Sequence, residues 1–213
     1  MIEAPYVGTM IEQCEFDTIY HEHLCYFSLT ALDQLFRRQG LVIRRVERIP
    51  IHGGSLRIFA FPEAAAVAPD DSVRELLAAE AQAGINTFAY YRDFAARVKT
   101  LGQTLTALLH GLKREGKTIA AYGAAAKGST LLNTFRLGTE TIDFVVDRST
   151  HKQGRYLPGV HLPVEAPDVL LTRSPDYVLL LTWNFADEIF EQQAEYRRRG
   201  GKFIVPVPTP TIV

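Results

Sequence analysis

The sequence predicts an α/β fold class, in which helices cover both faces of a parallel sheet. From Lys117 onward, short apolar segments that suit strands alternate with segments that suit helices, and this alternation is typical of a parallel sheet. A loop of small residues, Gly123–Gly128, follows the first of these apolar segments. Such a loop between a strand and a helix is typical of phosphate-binding folds. We therefore expect a Rossmann-like domain over residues 117–213.

Composition and charge restrict the function classes. The chain has 213 residues, of which 47% are hydrophobic and 22% charged, with a net charge of −1. These values are ordinary for a soluble globular protein, and they argue against a nucleic-acid or anionic-membrane partner. No apolar run approaches the roughly 18 residues of a membrane span, and no signal peptide is recognisable. We expect a cytoplasmic protein. Cys14 and Cys25 form no CxxC pattern, so no metal framework is predicted.

Residues 1–66 predict one helix and one pair of strands. Ser28 is a suitable N-cap for a helix that Gly40 ends. Predicted strands over Leu41–Ile49 and Leu56–Phe61 flank a turn that contains Gly53 and Gly54, as in a hairpin.

Residues 67–116 predict a helical connector that packs across both parts of the chain. Ser72 is the expected N-cap of an Ala-, Leu- and Glu-rich helix, and a second helix is expected from about Phe88 to Arg114.

The last part of the chain predicts the parallel sheet in detail. The expected strands are Thr118–Tyr122, Ile142–Asp147, Tyr177–Trp183 and Lys202–Val207, and the expected helices are Ser129–Phe135 and Ala186–Arg199.

The small-residue loop is a candidate anion site. Short side chains let backbone amides approach a phosphate, and the following helix adds partial positive charge. Lys127 can add a point charge. The loop lacks a full GxGxxG pattern, so a tight turn without a ligand stays an alternative. The candidate binding residues are Gly123, Ala124, Ala126, Lys127 and Gly128.

Three further residues are candidates for the same ligand. Asp147 ends a predicted strand 24 residues after Gly123, close to the roughly 20-residue offset of a ribose-binding acid. Trp183 and Asn184 follow another predicted strand, where they can hold a base or a sugar. Asp147 as a solvated acid and Trp183 as core packing remain open.

A run of titratable residues, Tyr20-His21-Glu22-His23, can supply a general base beside a carboxylate. Histidine suits proton abstraction because its pKa lies near neutrality. A third metal ligand at suitable spacing is lacking, so a metal site is disfavoured. A polar loop with hydrogen-bonded histidines stays the alternative. His52, in the turn before Gly53, is a further candidate.

Five blocks of this sequence resemble S-adenosylmethionine-dependent sugar C-methyltransferases, the family that makes branched deoxysugars. The blocks cover nearly the whole chain and are Phe16–Ser28, His52–Arg57, Tyr122–Ser129, Lys152–Gly159 and Thr182–Glu188.

The resemblance implies a zinc module, a methyltransferase domain and a C-terminal Rossmann-like domain that anchors a nucleotide-sugar of the dTDP type. It implies that His23 is the general base that acts on the carbon beside a keto group. Tyr20 and Glu22 would hold the substrate or stabilise the enolate. His52, Ser55 and Arg57 would contact the substrate.

The chain departs from this family in its N-terminal part, since it has neither a cysteine-rich module nor a Gly-rich loop before the His cluster. Residues 1–66 match only the last third of the methyltransferase domain. We therefore expect a C-terminal piece whose partner is the missing methyltransferase part, and which alone binds S-adenosylmethionine poorly and does not methylate. The alternatives are an NAD-dependent oxidoreductase and a non-catalytic nucleotide-binding subunit.

Overall fold

The computed structural model describes all 213 residues except the side chain of His52. It divides the chain into two compact units. The N-terminal unit comprises Met1–Glu15 and Glu22–Arg97, and the C-terminal unit comprises Phe16–His21 and Val98–Val213. None of the helices in the described part of the chain is long and apolar enough to cross a membrane.

The N-terminal unit is built on a three-stranded antiparallel sheet. The sheet order is β1-β3-β2, and the predicted hairpin is confirmed, because its two strands pair antiparallel. The elements are β1 (Ile2–Pro5), α1 (Val7–Glu12), α2 (Leu29–Arg38), β2 (Leu41–Ile49), β3 (Ser55–Pro62), α3 (Asp71–Ala83) and the start of α4 (Phe88–Arg114).

A buried carboxylate caps α2. Ser28 is the predicted N-cap and accepts a hydrogen bond from the amide of Ala31 at 3.1 Å. Glu80, on α3, accepts from the amides of Leu29 at 2.6 Å and Thr30 at 2.7 Å. Amides in the first turn of a helix have no partner within the helix, and an anion there also stabilises the helix dipole. Glu80 therefore connects α3 to α2 through charge-assisted hydrogen bonds, in addition to the packing of the two helices.

Two details of this unit differ from the prediction. The N-cap of α3 is Asp70, not Ser72, because the Asp70 carboxylate accepts from the Ser72 amide at 3.1 Å. Strand β2 carries a register shift between Ile43 and Arg45, so a simple period of two does not hold along it.

The C-terminal unit is a six-stranded sheet in the order β6-β5-β4-β7-β8-β9. All neighbours pair parallel except β9, which is antiparallel to β8. This confirms the Rossmann-like α/β prediction. The elements are the rest of α4, β4 (Ile119–Tyr122), α5 (Ala126–Phe135), β5 (Phe144–Val146), β6 (Val164–Glu165), α6 (Val169–Arg173), β7 (Tyr177–Leu180), α7 (Ala186–Gln192), α8 (Ala194–Arg198), β8 (Lys202–Val205) and β9 (Thr211–Ile212).

The central strands form the core of this unit because helices bury both of their faces. All four residues of β4 are buried, and Val178, Leu179 and Leu180 of β7 have no exposed surface. The strand order reverses between β4 and β7, so the connections that leave their carboxyl ends run in opposite directions along the sheet. A crevice forms at such a point in open α/β sheets, and ligands bind there.

The predicted boundaries in this unit agree with the structure to within two residues, except at three places. Helix α5 begins at Ala126 rather than Ser129, so Lys127 and Gly128 lie in its first turn and not in a loop. Strand β7 ends at Leu180, and Trp183–Phe185 form a short 3-10 helix. The helix expected over Ala186–Arg199 is divided into α7 and α8.

Candidate functional site

A cavity of about 290 Å³ lies at the carboxyl ends of β4 and β7, where the strand order reverses. It is lined by Tyr122, Gly123, Asp147, Arg148, Thr182, Phe185, Glu188, Ile189 and Gln192. Gly123 and Asp147 are predicted site residues, and the structure brings both to this cavity. The other predicted binding residues of this unit lie outside its lining.

The cavity combines an aromatic ring with groups that donate hydrogen bonds. Phe185 is 53% exposed, so much of this residue is accessible to a ligand. Burial raises the pKa of the Tyr122 phenol, so this hydroxyl stays protonated at neutral pH. Apolar walls with a few polar groups are typical of small-molecule sites.

One ion pair supplies the cation of the cavity. The guanidinium of Arg148, directly after Asp147, lies 3.1 Å from the Glu188 carboxylate at the start of α7. Both side chains are more than half exposed, so the pair adds little to stability. An anionic ligand would compete with Glu188 for Arg148.

The carboxylate of Asp147 is held by the protein itself. It accepts hydrogen bonds from the amide of Ala124 at 2.7 Å and from the amide of Ser149 at 2.8 Å. The ammonium of Lys152 lies 3.2 Å away. Asp147 therefore joins the Gly123 loop to the loop after β5, and one amide of the predicted anion site already has an acceptor.

Gly123 in the loop and Gly128 in the first turn of α5 are both required by packing against the residues that directly follow β7. Gly123 has a φ of +101°, and a Cβ there would lie 2.5 Å from Cγ2 of Thr182. A Cβ on Gly128 would lie 2.7 Å from Cβ of Leu181. The side chains of Leu181 and Thr182 thus occupy the space beside the two glycines, and the open volume is lined by other atoms of Gly123 and by Asp147.

Three other predicted ligand residues contact one another. The ammonium of Lys127 donates to the side-chain oxygen of Asn184. It also lies 4.2 Å from the centre of the Trp183 ring, a cation–π arrangement. The indole N–H of Trp183 donates to the carboxylate of Asp17 at 2.8 Å. These four residues, named here the Asp17 cluster, all belong to the C-terminal unit.

Asp17 is fully buried. Burial raises the pKa of its carboxyl to about 6, while the Trp183 hydrogen bond and the Lys127 charge lower it only in part. Sequence reasoning missed this residue, although it stands three positions before Tyr20 in a block already singled out.

The predicted catalytic residues lie in a segment without helix or strand. The boundary between the two units falls between His21 and Glu22. Tyr20 belongs to the C-terminal unit, where its ring centre lies 6.2 Å from that of His21. His23 belongs to the N-terminal unit and is partly buried, with its ring centre 6.3 Å from that of Tyr26. Glu22, in the N-terminal unit, is exposed.

The remaining candidates also lie in the N-terminal unit. Ser55 is buried, and its hydroxyl donates to the carbonyl of Ile51 at 3.0 Å, which closes the turn before β3. The guanidinium of Arg57 donates to Glu3 at 2.6 Å on the neighbouring strand. The backbone of His52 forms part of a short 3-10 helix, and its side chain lies outside the described residues.

Several residues of the cavity were not among the sequence candidates: Tyr122, Arg148, Thr182, Phe185, Glu188, Ile189 and Gln192. Four of them stand in the blocks Tyr122–Ser129 and Thr182–Glu188, so the signal was present. Arg148 follows the candidate Asp147 directly. Ile189 and Gln192 follow the Thr182–Glu188 block on α7.

Comparison with known proteins identifies the family. Residues 50–208 match the family model of the C-methyltransferase C-terminal domain. The chain is 42% identical over 212 residues to the C-methyltransferase NovU of Streptomyces niveus. This alignment covers all of the chain but only 50% of the relative, so the chain spans about half the length of the curated relative it matches. The chain belongs to the C-methyltransferase C-terminal domain family.

Proposed function

We propose that this chain is the substrate-anchoring part of a sugar C-methyltransferase, and that the cavity between β4 and β7 binds the nucleotide end of a nucleotide-sugar. The observation that carries the proposal is the position of the cavity at the point where the strand order reverses. Nucleotides bind at this point in open α/β sheets.

The lining of the cavity suits each part of a nucleoside diphosphate. Phe185, which is about half exposed, offers an aromatic surface on which a base can stack. The guanidinium of Arg148 is the group in the lining that matches a phosphate in charge and geometry. The amide of Gln192 and the hydroxyl of Thr182 can bond to a sugar.

This assignment places the phosphate at Arg148 rather than within the Gly123 loop. Protein atoms occupy the β7 side of the loop, and Asp147 accepts from the Ala124 amide. The loop therefore contributes part of the cavity wall at Gly123, whose missing side chain makes room for Thr182.

In the proposed chemistry His23 removes a proton from the carbon beside the keto group of the sugar. The electron pair of the broken C–H bond moves into the enolate, whose oxygen carries the negative charge. Tyr20 and Glu22 hold the sugar or stabilise this oxygen, and such stabilisation is usually a large contribution to catalysis.

The residues present do not fit S-adenosylmethionine, which is the methyl donor of the resembled family. The described sheet of the N-terminal unit is antiparallel and offers no parallel strand–loop–helix turn for the nucleoside. The chemistry assigned to this chain therefore ends at the enolate.

Calorimetric titration tests the proposal. We expect the chain to bind dTDP or UDP in the micromolar range and to lose most of this affinity in the Arg148→Ala, Phe185→Ala double variant. Binding of NAD without either nucleoside diphosphate would favour the oxidoreductase alternative. No binding of any of the three would contradict a nucleotide site at this cavity.

A further inference from the structure

The segment Phe16–His21 packs within the C-terminal unit, although the residues that precede and follow it in the chain belong to the other unit. Two contacts fix its start. The ring of Phe16 lies 4.9 Å from that of Phe135 on α5, measured between centres. The carboxylate of Asp17 accepts the indole N–H of Trp183 at 2.8 Å. The segment is therefore held both at α5 and just after β7.

The carboxylate of Asp17 is hydrogen-bonded to the main chain at Asp17 and Thr18 and has two polar side chains beside it. It faces the indole N–H of Trp183 and the ammonium of Lys127, and it has no exposed surface. A buried carboxylate is costly unless it is paired, and an apolar side chain of similar volume often packs at less cost. Packing alone thus does not explain a carboxylate at position 17. A role in holding the segment Phe16–His21 in one orientation does explain it.

Main-chain hydrogen bonds connect the anchored Asp17 to Tyr20. The amide of Ile19 donates to the carbonyl of Phe16 at 3.0 Å, and the amide of Tyr20 donates to the carbonyl of Thr18 at 3.1 Å. These bonds close a compact turn between Asp17 and Tyr20. The position of the Tyr20 main chain is therefore set by where Asp17 is anchored.

We infer that Asp17 is a positioning residue, whose hydrogen bond with Trp183 fixes the turn that carries Tyr20 in the C-terminal unit. The value of this for catalysis rests on the proposed function, in which Tyr20 contacts the sugar. Within the same inference, Lys127, Trp183 and Asn184 form the anchor of the segment rather than ligands of the nucleotide.

Hydrogen exchange on the full chain tests the inference. In Asp17→Ala we expect the amides of residues 18–21 to exchange at least about tenfold faster, while those of β4 and β7 keep their protection. Trp183→Phe removes the donor and should give the same local change. Asp17→Asn keeps an acceptor for the indole, so it should restore most of the protection. Asp187→Ala, an exposed acid on α7, is the matched control and should change neither region.

A spectroscopic readout accompanies the exchange. Trp183 is the one tryptophan in the sequence, so its fluorescence reports directly on this hydrogen bond. We expect a shift of the emission maximum in Asp17→Ala and a smaller one in Asp17→Asn. Unchanged emission together with wild-type exchange at residues 18–21 would overturn the inference. Equal loss of protection throughout the sheet would also overturn it, because it would show a general structural role.

Titration of the same variants with dTDP separates this inference from the proposed function. Asp17 does not line the cavity, so Asp17→Ala should bind dTDP within about twofold of the wild type. A wild-type chain that fails to bind dTDP would contradict the proposed function and leave the exchange result standing. An exchange pattern without local change would contradict the role of Asp17 and leave dTDP binding standing.

Discussion

The indole N–H of Trp183 donates to the carboxylate of Asp17 across 2.8 Å, although 166 positions separate the two residues in the chain. The bond brings a block near the start of the sequence to the carboxyl end of β7. The hydrogen bond from Trp183 and the charge of Lys127 partly compensate the cost of burying the Asp17 carboxylate completely.

The free energy of unfolding should depend on Asp17 between about pH 4 and pH 6. Burial raises the pKa of Asp17 from 3.8 to about 6, so the folded chain binds this proton more tightly than the unfolded chain. The resulting stabilisation is fully present below the unfolded pKa and is lost as pH rises through the folded one. The rise corresponds to on the order of 3 kcal/mol.

Urea titrations at several pH values, followed by Trp183 fluorescence, measure this contribution. Asp17→Asn should remove it, and the exposed Asp187→Asn should not. If the stability curves of the wild type and Asp17→Asn ran parallel from pH 4 to 7, the raised pKa would be wrong.

Removal of the positive charge of Arg148 and removal of the negative charge of Glu188 should have opposite effects on nucleotide binding. Arg148→Ala should weaken dTDP binding about tenfold, because it removes the phosphate partner. Glu188→Gln should strengthen binding a few-fold, because the guanidinium is no longer shared. Calorimetry at low and high salt measures both, and the difference should shrink at high salt. Weaker binding in both variants would show that Glu188 itself contacts the ligand.

Phe185→Ala should reduce the affinity for dTDP at least about fivefold, because stacking of a base on an aromatic ring contributes roughly 1–3 kcal/mol. The ring is 53% exposed, so thermal stability should hardly change. Phe185→Trp keeps a stacking surface and is the control. Equal dTDP affinity in wild type and Phe185→Ala would place the base elsewhere.

Two glycines of α4 should respond oppositely to alanine. A Cβ on Gly102 would lie 2.5 Å from the ring of Phe135, whereas a Cβ on Gly111 meets only the end of Arg114 at 4.0 Å. Gly102→Ala should therefore cost about 1–3 kcal/mol of stability by overpacking. Gly111→Ala should gain up to about 1 kcal/mol from helix propensity. Denaturant titration measures both, and a stabilised Gly102→Ala variant would contradict the close packing of α4 on α5.

Glu80→Ala should destabilise the N-terminal unit by about 2–4 kcal/mol. The change leaves the amides of Leu29 and Thr30 without their acceptor and removes an anion from the start of α2. Circular dichroism during urea unfolding measures the loss. Glu75→Ala, an exposed acid on the same helix, is the control and should change stability by less than about 0.5 kcal/mol. Similar effects of the two changes would argue against the capping role.

Local rules predicted the elements whose signals lie close together in the sequence. Ser28 caps α2 as its side-chain chemistry indicates, and α4 spans Phe88–Arg114 as its helical pattern indicates. The parallel sheet followed from apolar segments buried on both faces. Strands of two residues, β6 and β9, carry too little pattern to be recognised.

The site was predicted less completely because it depends on contacts that are distant in sequence. The spacing of Gly123 and Asp147 predicts a phosphate-binding loop and a ribose-binding acid, and both residues line the cavity. Lys127 is predicted to pair with a phosphate and Trp183 to hold a base or a sugar, whereas their neighbour Asp17 is distant from both in the chain. No local period or propensity predicts such a pairing. Arg148 and Phe185 are recognised as site residues only once the strand order is known, because that order places the cavity between β4 and β7.

Because Phe16–His21 belongs to the C-terminal unit, a single cleavage of the chain cannot separate the two complete units. A fragment that starts at Val98 keeps all six strands of the sheet, but its indole has lost its acceptor and Phe135 its aromatic neighbour. An engineered version of this half would need the missing hexapeptide grafted on or supplied as a separate peptide. Titration of the isolated fragment with a synthetic peptide of that sequence would measure how tightly the segment binds to it.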